Sequence, residues 1–408
     1  MRTAVVLFTR DLRVHDNPAL AAAARAAEHV LPLFVLDEQL LGASERRARL
    51  LGSALRDLDG SLRRLGARLT VRRGDPVAET VRVARACGAE AVFLAEDVSA
   101  YAQRRERLLA EEVEVRTFPG VTVVPPGSIA PDGRDCYLVF TPYARAWAAA
   151  PRRALERTPR RLRLPAGVTF GRLPPGNGGG ETEARRQLTR WLRSGEGDYV
   201  AVRDDLAADA TSRLSVPLHL GLLSPLEVAS RSQNAEFVRQ LAWRDFFAQL
   251  LAANPRSATE DLRPSRRRWA DNPDALAAWK EGRTGVPIVD AGIRELALTG
   301  FMHNRARMIV ASFLTKDLQV DWREGAAHFQ ELLLDGDLAS NSGNWQWVAG
   351  TGADTRPGRI LNPWRQAARF DPTGEYVRRW VPEIGTRSYP PPIVDHDEAA
   401  RRFRAERD

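Results

Sequence analysis

Short β-prone runs at Ala4 to Phe8, Val30 to Leu36, Arg68 to Arg72 and Ala91 to Ala95 are separated by Ala- and Arg-rich segments of helical period. Strands joined through helices pair in parallel, and a parallel sheet is buried by helices over both faces. The first part of the chain is therefore expected to be an α/β domain with a doubly wound, Rossmann-like parallel sheet. Asp16-Asn17-Pro18-Ala19 supplies a cap and a proline at the first position of its opening helix. No G-x-G-x-x-G follows the first run, so the usual dinucleotide pose of this fold is not indicated.

The pattern changes after Pro125-Pro126-Gly127. A proline-broken, arginine-rich stretch runs to Leu173-Pro174-Pro175-Gly176-Asn177-Gly178-Gly179-Gly180, which reads as a connector with a flexible tip. Beyond Glu181 the sequence is almost wholly helical, with apolar residues at helical spacing in Glu236 to Ala252, Asp290 to Leu298 and His303 to Lys316. The expected organisation is an α/β domain over 1–127, a connector over 128–195 and an all-α domain over 196–408. A chain of 408 residues is long enough for two such cores.

The formal charge is +8, from 60 basic and 52 acidic residues, and Lys280 and Lys316 are the only lysines. An excess of this size permits a polyanionic partner without requiring one. Cys87 and Cys136 form no C-x-x-C pair and the six histidines show no ligand spacing, so neither a metal site nor a disulfide framework is expected. No apolar run approaches the roughly 18 residues that cross a bilayer, and the chain reads as soluble, cytoplasmic and monomeric.

Chemistry concentrates in Asp335-Gly336-Asp337-Leu338-Ala339-Ser340-Asn341-Ser342-Gly343-Asn344-Trp345-Gln346-Trp347. One reading is a helix capped by Asp337 over a Trp-anchored core; the other is a polar, flat ring system held in an apolar cavity. Gly300 to Ile309 places Asn304 and Met308 four apart on one helical face beside Arg305 and Arg307. Asp198-Tyr199, Arg203 and Thr211-Ser212-Arg213-Leu214-Ser215 gather hydroxyls and guanidinium groups that suit a diphosphate, or simply cap a helix. Gln240 to Phe247 includes Trp243 and Arg244, able to stack on a base and grip a phosphate, or to form one amphipathic helix.

These motifs, together with Phe8-Thr9-Arg10-Asp11-Leu12-Arg13, Trp279 to Asp290, Thr299 to Arg307 and Asp321-Trp322-Arg323-Glu324-Gly325, resemble class I enzymes of the cryptochrome and photolyase family. The resemblance runs to Arg379-Trp380-Val381-Pro382-Glu383, essentially the whole chain. It implies FAD in the helical domain, active in its reduced anionic form, with Tyr199 and Thr211 to Ser215 at its phosphates and Phe237, Asn304 and Arg307 among its contacts. It pairs Arg307 with Asp335, gives Asp337 the flavin's pyrimidine edge, and sets Asn341 opposite the redox-active nitrogen. Trp345, Trp322 and Trp269 match a three-tryptophan chain that carries electrons inward; each is also a plausible core aromatic.

The implied substrate is DNA containing a cyclobutane pyrimidine dimer, flipped out of the duplex as in other enzymes of this class. Trp243 and Trp347 match indoles that pack on the dimer, with Asn304, Arg305 and Met308 lining the same cavity. Histidines stand at Asn304 and Met308 in enzymes for the (6-4) lesion, so the cyclobutane lesion is favoured. Arg203, Arg244, Arg305, Arg359 and Gln366 match contacts to flanking phosphates, which confer salt-dependent affinity. Arg263 and Arg266 to Arg268 read better as a solvated charge run. Two positions depart from the family pattern: Gln240 stands where many relatives carry Glu, and Asp354 to Arg359 is one residue short. An antenna chromophore, deazaflavin or folate, is compatible with the α/β domain, although Glu96 to Tyr101 matches neither site decisively. The rival expectation is a cryptochrome-like blue-light photoreceptor that binds FAD and repairs weakly or not at all.

Overall fold

The computed structural model describes residues 1–38, 44–264, 268–353, 356 and 358–405. The chain forms two compact units, Met1–Gly197 with Ser212–Pro255, and Asp198–Thr211 with Arg256–Asp408. This division differs from the expected boundaries at 127 and 195. The connector and the helix Ala235–Ala253 both join the first unit.

The first unit holds a five-stranded sheet of β1 (Thr3–Leu7), β2 (His29–Leu36), β3 (Thr70–Arg73), β4 (Ala91–Ala95) and β5 (Val115–Phe118), in the order β3-β2-β1-β4-β5. Every neighbouring pair is parallel, and β1 and β4 are buried along their length. The alternation of short apolar runs with helices is thus realised as expected. The fifth strand is an addition: β5 is a half-exposed edge, so Val115-Arg116-Thr117-Phe118 lacks the continuous apolar run that marks the inner strands.

The loop after β1 is tied by a buried polar knot. Arg13, 1 % exposed, donates to the carbonyls of His15, Asp16, Gly120 and Gly221. Glu181 accepts from the Val14 and His15 amides at 2.8 and 3.0 Å. Asp16 sits at φ 46 and accepts from Arg153, Ser224 and the Glu156 amide, which over-determines a conformation that non-glycine residues avoid. The opening motif is therefore an architectural clamp.

The glycine-rich tip expected to be flexible is instead docked on the helix Glu45–Arg64. A Cβ on Gly52 would lie 1.8 Å from the Pro175 carbonyl oxygen, Arg56 Nε donates to Pro174 O at 3.0 Å, and the Thr182 amide donates to Asp57 Oδ2 at 2.9 Å. The helix Ala235–Ala253 is anchored by Asp245, 1 % exposed, whose Oδ2 accepts from the amides of Val123 and Val124 and from Trp147 Nε1 at 2.8, 3.0 and 2.9 Å. Burial pushes the Asp245 carboxyl up to about 6.

The described part of the second unit is helical. Its core gathers Trp279, Ile288, Met302, Val310, Phe313, Trp322 and Phe329. Trp279 is fully buried and satisfies its indole N–H at Val310 O, 3.0 Å away. The run His303 to Lys316 divides at Ser312: Asn304–Ser312 is α-helical and Phe313–Asp317 is a π turn, with the Leu318 amide reaching Phe313 O at 3.0 Å. The wider turn carries Lys316 and Asp317 into the interior, where Lys316 meets Arg359 O and Asp317 meets His396.

Candidate functional site

Two helices of the second unit face each other across a cavity. Asn304, Arg307, Met308 and Ala311 repeat at helical spacing on Asn304–Ser312, and Asn341, Asn344, Trp345 and Val348 do so on Leu338–Ala349. Asp335, Gly336 and Asp337 close one end, and Phe329 and Leu333 form an apolar wall.

Arg307 Nη2 donates to both oxygens of Asp335, at 3.0 and 2.9 Å, while its Nε donates to Met302 O at 2.8 Å. The Asp335 side chain is 4 % exposed and that of Arg307 25 %. Asp337 caps Leu338–Ala349 by accepting from the Ser340 amide at 2.8 Å. The capped helix and the pocket, weighed as alternatives in the sequence, are one object. Asn341 Nδ2 is pinned by Ala326 O at 2.9 Å and Gln330 Oε1 at 3.3 Å, leaving its carbonyl oxygen as the end available to a ligand. His303 caps Asn304–Ser312 through Nδ1, which accepts from the Arg305 amide at 3.1 Å. Burial pushes this imidazole down to about 4, so it stays a neutral acceptor at pH 7.

Trp345 lines the cavity and is 2 % exposed; its ring meets Phe329 edge-on at 4.9 Å and rests on Gly325, where a Cβ would lie 2.2 Å from the indole. Trp322, 1 % exposed, donates Nε1 to Asp261 at 2.8 Å, and Trp269 is half-buried against the same core. Trp347 is also half-buried there. Arg305 is engaged by Asp204 through two hydrogen bonds of 2.7 and 3.0 Å, and its guanidinium lies 4.9 Å from the Phe370 ring centroid. Arg359 is exposed and Gln366 half-buried on the helix Pro363–Phe370.

Tyr199, 8 % exposed, carries the Arg203 guanidinium 5.6 Å from its ring centroid. The Thr211 hydroxyl is buried and has no hydrogen-bond partner among the described residues. Within the first unit, Ser212 Oγ accepts from the Leu214 amide at 3.3 Å, Arg213 sits at φ 51, and Ser215 opens the helix Ser215–His219. Phe237 is 6 % exposed; Gln240 is exposed and donates to Glu236 O at 3.3 Å. Trp243 stacks on Phe140 with centroids 3.5 Å apart. Arg244, expected at a phosphate, donates to Val121 O, with its side chain 14 % exposed. Asp354, Thr355 and Pro357 of the shortened loop, and Arg266 and Arg267 of the charge run, lie outside the described residues.

Phe329, Gln330, Leu333 and Val348 were not identifiable from sequence, because their residue types are those of any packed helix. Arg307 with Asp335, the Asn341 oxygen and the apolar wall suit a flat heteroaromatic ring with polar edges, and the orphaned Thr211 hydroxyl suits an oxygen-rich ligand. FAD has both parts.

A family model described as the FAD binding domain of DNA photolyase matches residues 237–387, and one described as DNA photolyase matches 4–162. A deoxyribodipyrimidine photo-lyase of Streptomyces griseus is 47% identical, the match covering 99% of this chain and 98% of that protein. A bacterial class III photolyase from Agrobacterium tumefaciens superposes with a TM-score of 0.90 at 32% identity, covering 100% of this chain and 97% of that one. A cryptochrome from Synechocystis superposes with a TM-score of 0.92 at 26% identity, covering 99% of each.

Proposed function

Because this chain belongs to the DNA photolyase family, we propose that it repairs pyrimidine dimers in DNA under light, with the cyclobutane dimer as the lesion and class I as the subtype. The carrying observation is the cavity in which the Arg307–Asp335 pair and the Asn341 oxygen stand beside an apolar wall. Bound and reduced to its anion, FAD would supply on illumination the electron that opens the dimer's ring, with no net redox change.

The protein's part is placement. Arg307 and Asp335, paired with each other, would hold the ring's polar edge, and Asp337 would be a further acceptor for it. Asn341, fixed through Nδ2, aims an acceptor without a net charge. Phe329, Leu333 and Val348 keep water from the reacting groups. Trp345 and Trp322, both buried, and Trp269, half-buried, are assigned to a chain of indoles that relays electrons inward. Tyr199, Thr211 to Ser215 and Phe237 are assigned to the cofactor, while Trp347, Asn304, Met308 and Trp243 are assigned to the lesion. Arg203, Arg244, Arg305, Arg359 and Gln366 are assigned to flanking phosphates.

We read 1–127 as an antenna-type domain, 128–195 as its connector and 196–408 as the part that holds FAD and meets DNA. The α/β domain is compatible with an antenna chromophore, deazaflavin or folate. The protein acts as a cytoplasmic monomer; no helix among the described residues is long and apolar enough to cross a membrane. Gln240 favours a second reading, a blue-light photoreceptor, since an amide cannot donate a proton to the dimer as a carboxylic acid can. Illuminating the reduced, FAD-loaded protein with an oligonucleotide bearing one cyclobutane dimer separates the two. Recovery of pyrimidine absorbance supports repair, and its absence supports the photoreceptor.

A further inference from the structure

The connector carries arginines that the repair chemistry does not use. Arg145, Arg152, Arg157, Arg160, Arg161 and Arg163 are all exposed, and the only acid between 145 and 163 is Glu156, which pairs with Arg25. Arg153 is taken up by Asp16 at 2.5 and 2.7 Å. Arg152 lies 4.5 Å over the Trp147 ring; the other five exposed arginines make no side-chain hydrogen bond or ion pair with a described residue.

These side chains project from a fixed backbone without regular secondary structure after Ala149. The Glu156 amide donates to Asp16 Oδ1 at 2.8 Å, Thr158 Oγ1 to Val14 O at 3.3 Å, and the Leu162 amide to Leu65 O at 2.6 Å. Arg163 O accepts from the Val30 amide at 2.8 Å. Unpaired guanidinium groups on a pinned ribbon present a concentrated positive field and forks that match phosphate oxygens. Arg157 to Arg163 spans at most about 20 Å at roughly 3.3 Å per residue, close to six steps of one DNA strand at about 3.4 Å each.

A membrane surface fits poorly: Leu155, 43% exposed, is the only exposed large hydrophobic side chain of the ribbon, and no amphipathic helix carries the arginines 152 to 163. Nucleic acid fits better by position. The helix Phe140–Ala149 leads into the ribbon while stacking Phe140 on Trp243 and donating Trp147 Nε1 to Asp245. The ribbon therefore starts from the helix pair that also carries Trp243.

We infer that residues 145–163 form a second phosphate-binding surface, on the first unit, that grips nucleic-acid backbone without reading the lesion. This rests on DNA being the substrate. The test uses the FAD-loaded full chain with Arg157→Gln, Arg160→Gln, Arg161→Gln and Arg163→Gln combined. Anisotropy of an undamaged duplex is followed through a salt series. Loss of up to four phosphate contacts makes the slope of log affinity against log salt shallower by roughly 2 to 4, with affinity at low salt down at least tenfold. The corresponding all-lysine variant retains the slope, because lysine keeps the charge. Single-turnover dimer repair at saturating DNA and low salt is unchanged by the glutamine set. An unchanged slope and affinity overturns the inference, as does a loss of binding to phosphatidylserine vesicles or an acidic peptide while duplex binding is kept. Should the wild type bind DNA with the steep slope yet repair nothing, the repair reading fails and this surface stands.

Discussion

Replacing Arg307 and Asp335 singly gives unequal outcomes, and the inequality follows from their exposures. Arg307→Ala takes two hydrogen bonds from a carboxylate whose side chain is 4 % exposed, where water cannot replace them. Breaking a buried pair from that side costs about 3–5 kcal/mol. Asp335→Ala strands a guanidinium that is 25 % exposed and still donates to Met302 O at 2.8 Å, and its cost is about 1–3 kcal/mol. Removing both also removes the buried carboxylate that lost those bonds, so the double variant is more stable than Arg307→Ala alone. All three lose the Arg307–Asp335 pair at the cavity's edge and purify with little FAD. The assay is thermal unfolding of the apoproteins, alongside flavin content of the purified holoproteins. An Arg307→Ala midpoint equal to or above that of Asp335→Ala, or full FAD retention in both, would refute the reasoning.

Trp345→Phe slows photoreduction of oxidised flavin while leaving repair by prereduced protein largely intact; unchanged photoreduction in transient absorption would exclude Trp345 as the inner relay. Gln240→Glu restores a carboxyl to the exposed position on Ala235–Ala253 and raises the quantum yield of dimer splitting; an equal or lower yield would show that the missing acid is not limiting. Asp245 titrates at about 6 in the fold against about 3.9 when unfolded, so its proton stabilises the native state. That stabilisation is complete well below the unfolded value and is lost as pH rises through 6, a change of about 2 kcal/mol between pH 4 and pH 7. Asp245→Asn flattens this dependence in unfolding midpoints measured from pH 5 to pH 7.5, and a profile as steep as the wild type's would contradict it.

The parallel sheet was legible because β1, β2 and β4 are almost wholly buried and read as apolar runs, whereas β5 is an edge whose Arg116 and Thr117 face solvent. Helical periodicity located Ala235–Ala253 to within a residue or two but could not say which unit it joins. That is decided by Asp245, through bonds to residues more than a hundred positions away. Periodicity was equally blind to the π turn after Ser312, where one extra residue per turn redirects Lys316 and Asp317 without altering the apolar pattern. In the cavity, residue types marked Asp335, Asn341 and Trp345 as unusual neighbours. The orientation of the Asn341 amide depends on Ala326 and Gln330, which only the packed helices reveal. The glycine tip read as flexible because glycine runs usually are, yet Gly52 across from it leaves room only for a close backbone approach.

The central claim is that this cavity holds reduced FAD to split a cyclobutane dimer. Its most direct test is the recovery of pyrimidine absorbance when the reduced, FAD-loaded protein and a single-dimer oligonucleotide are illuminated with near-ultraviolet to blue light. Recovery that requires light and is lost with Arg307→Ala is the expected result. No recovery from a protein with FAD bound and reduced would contradict the claim.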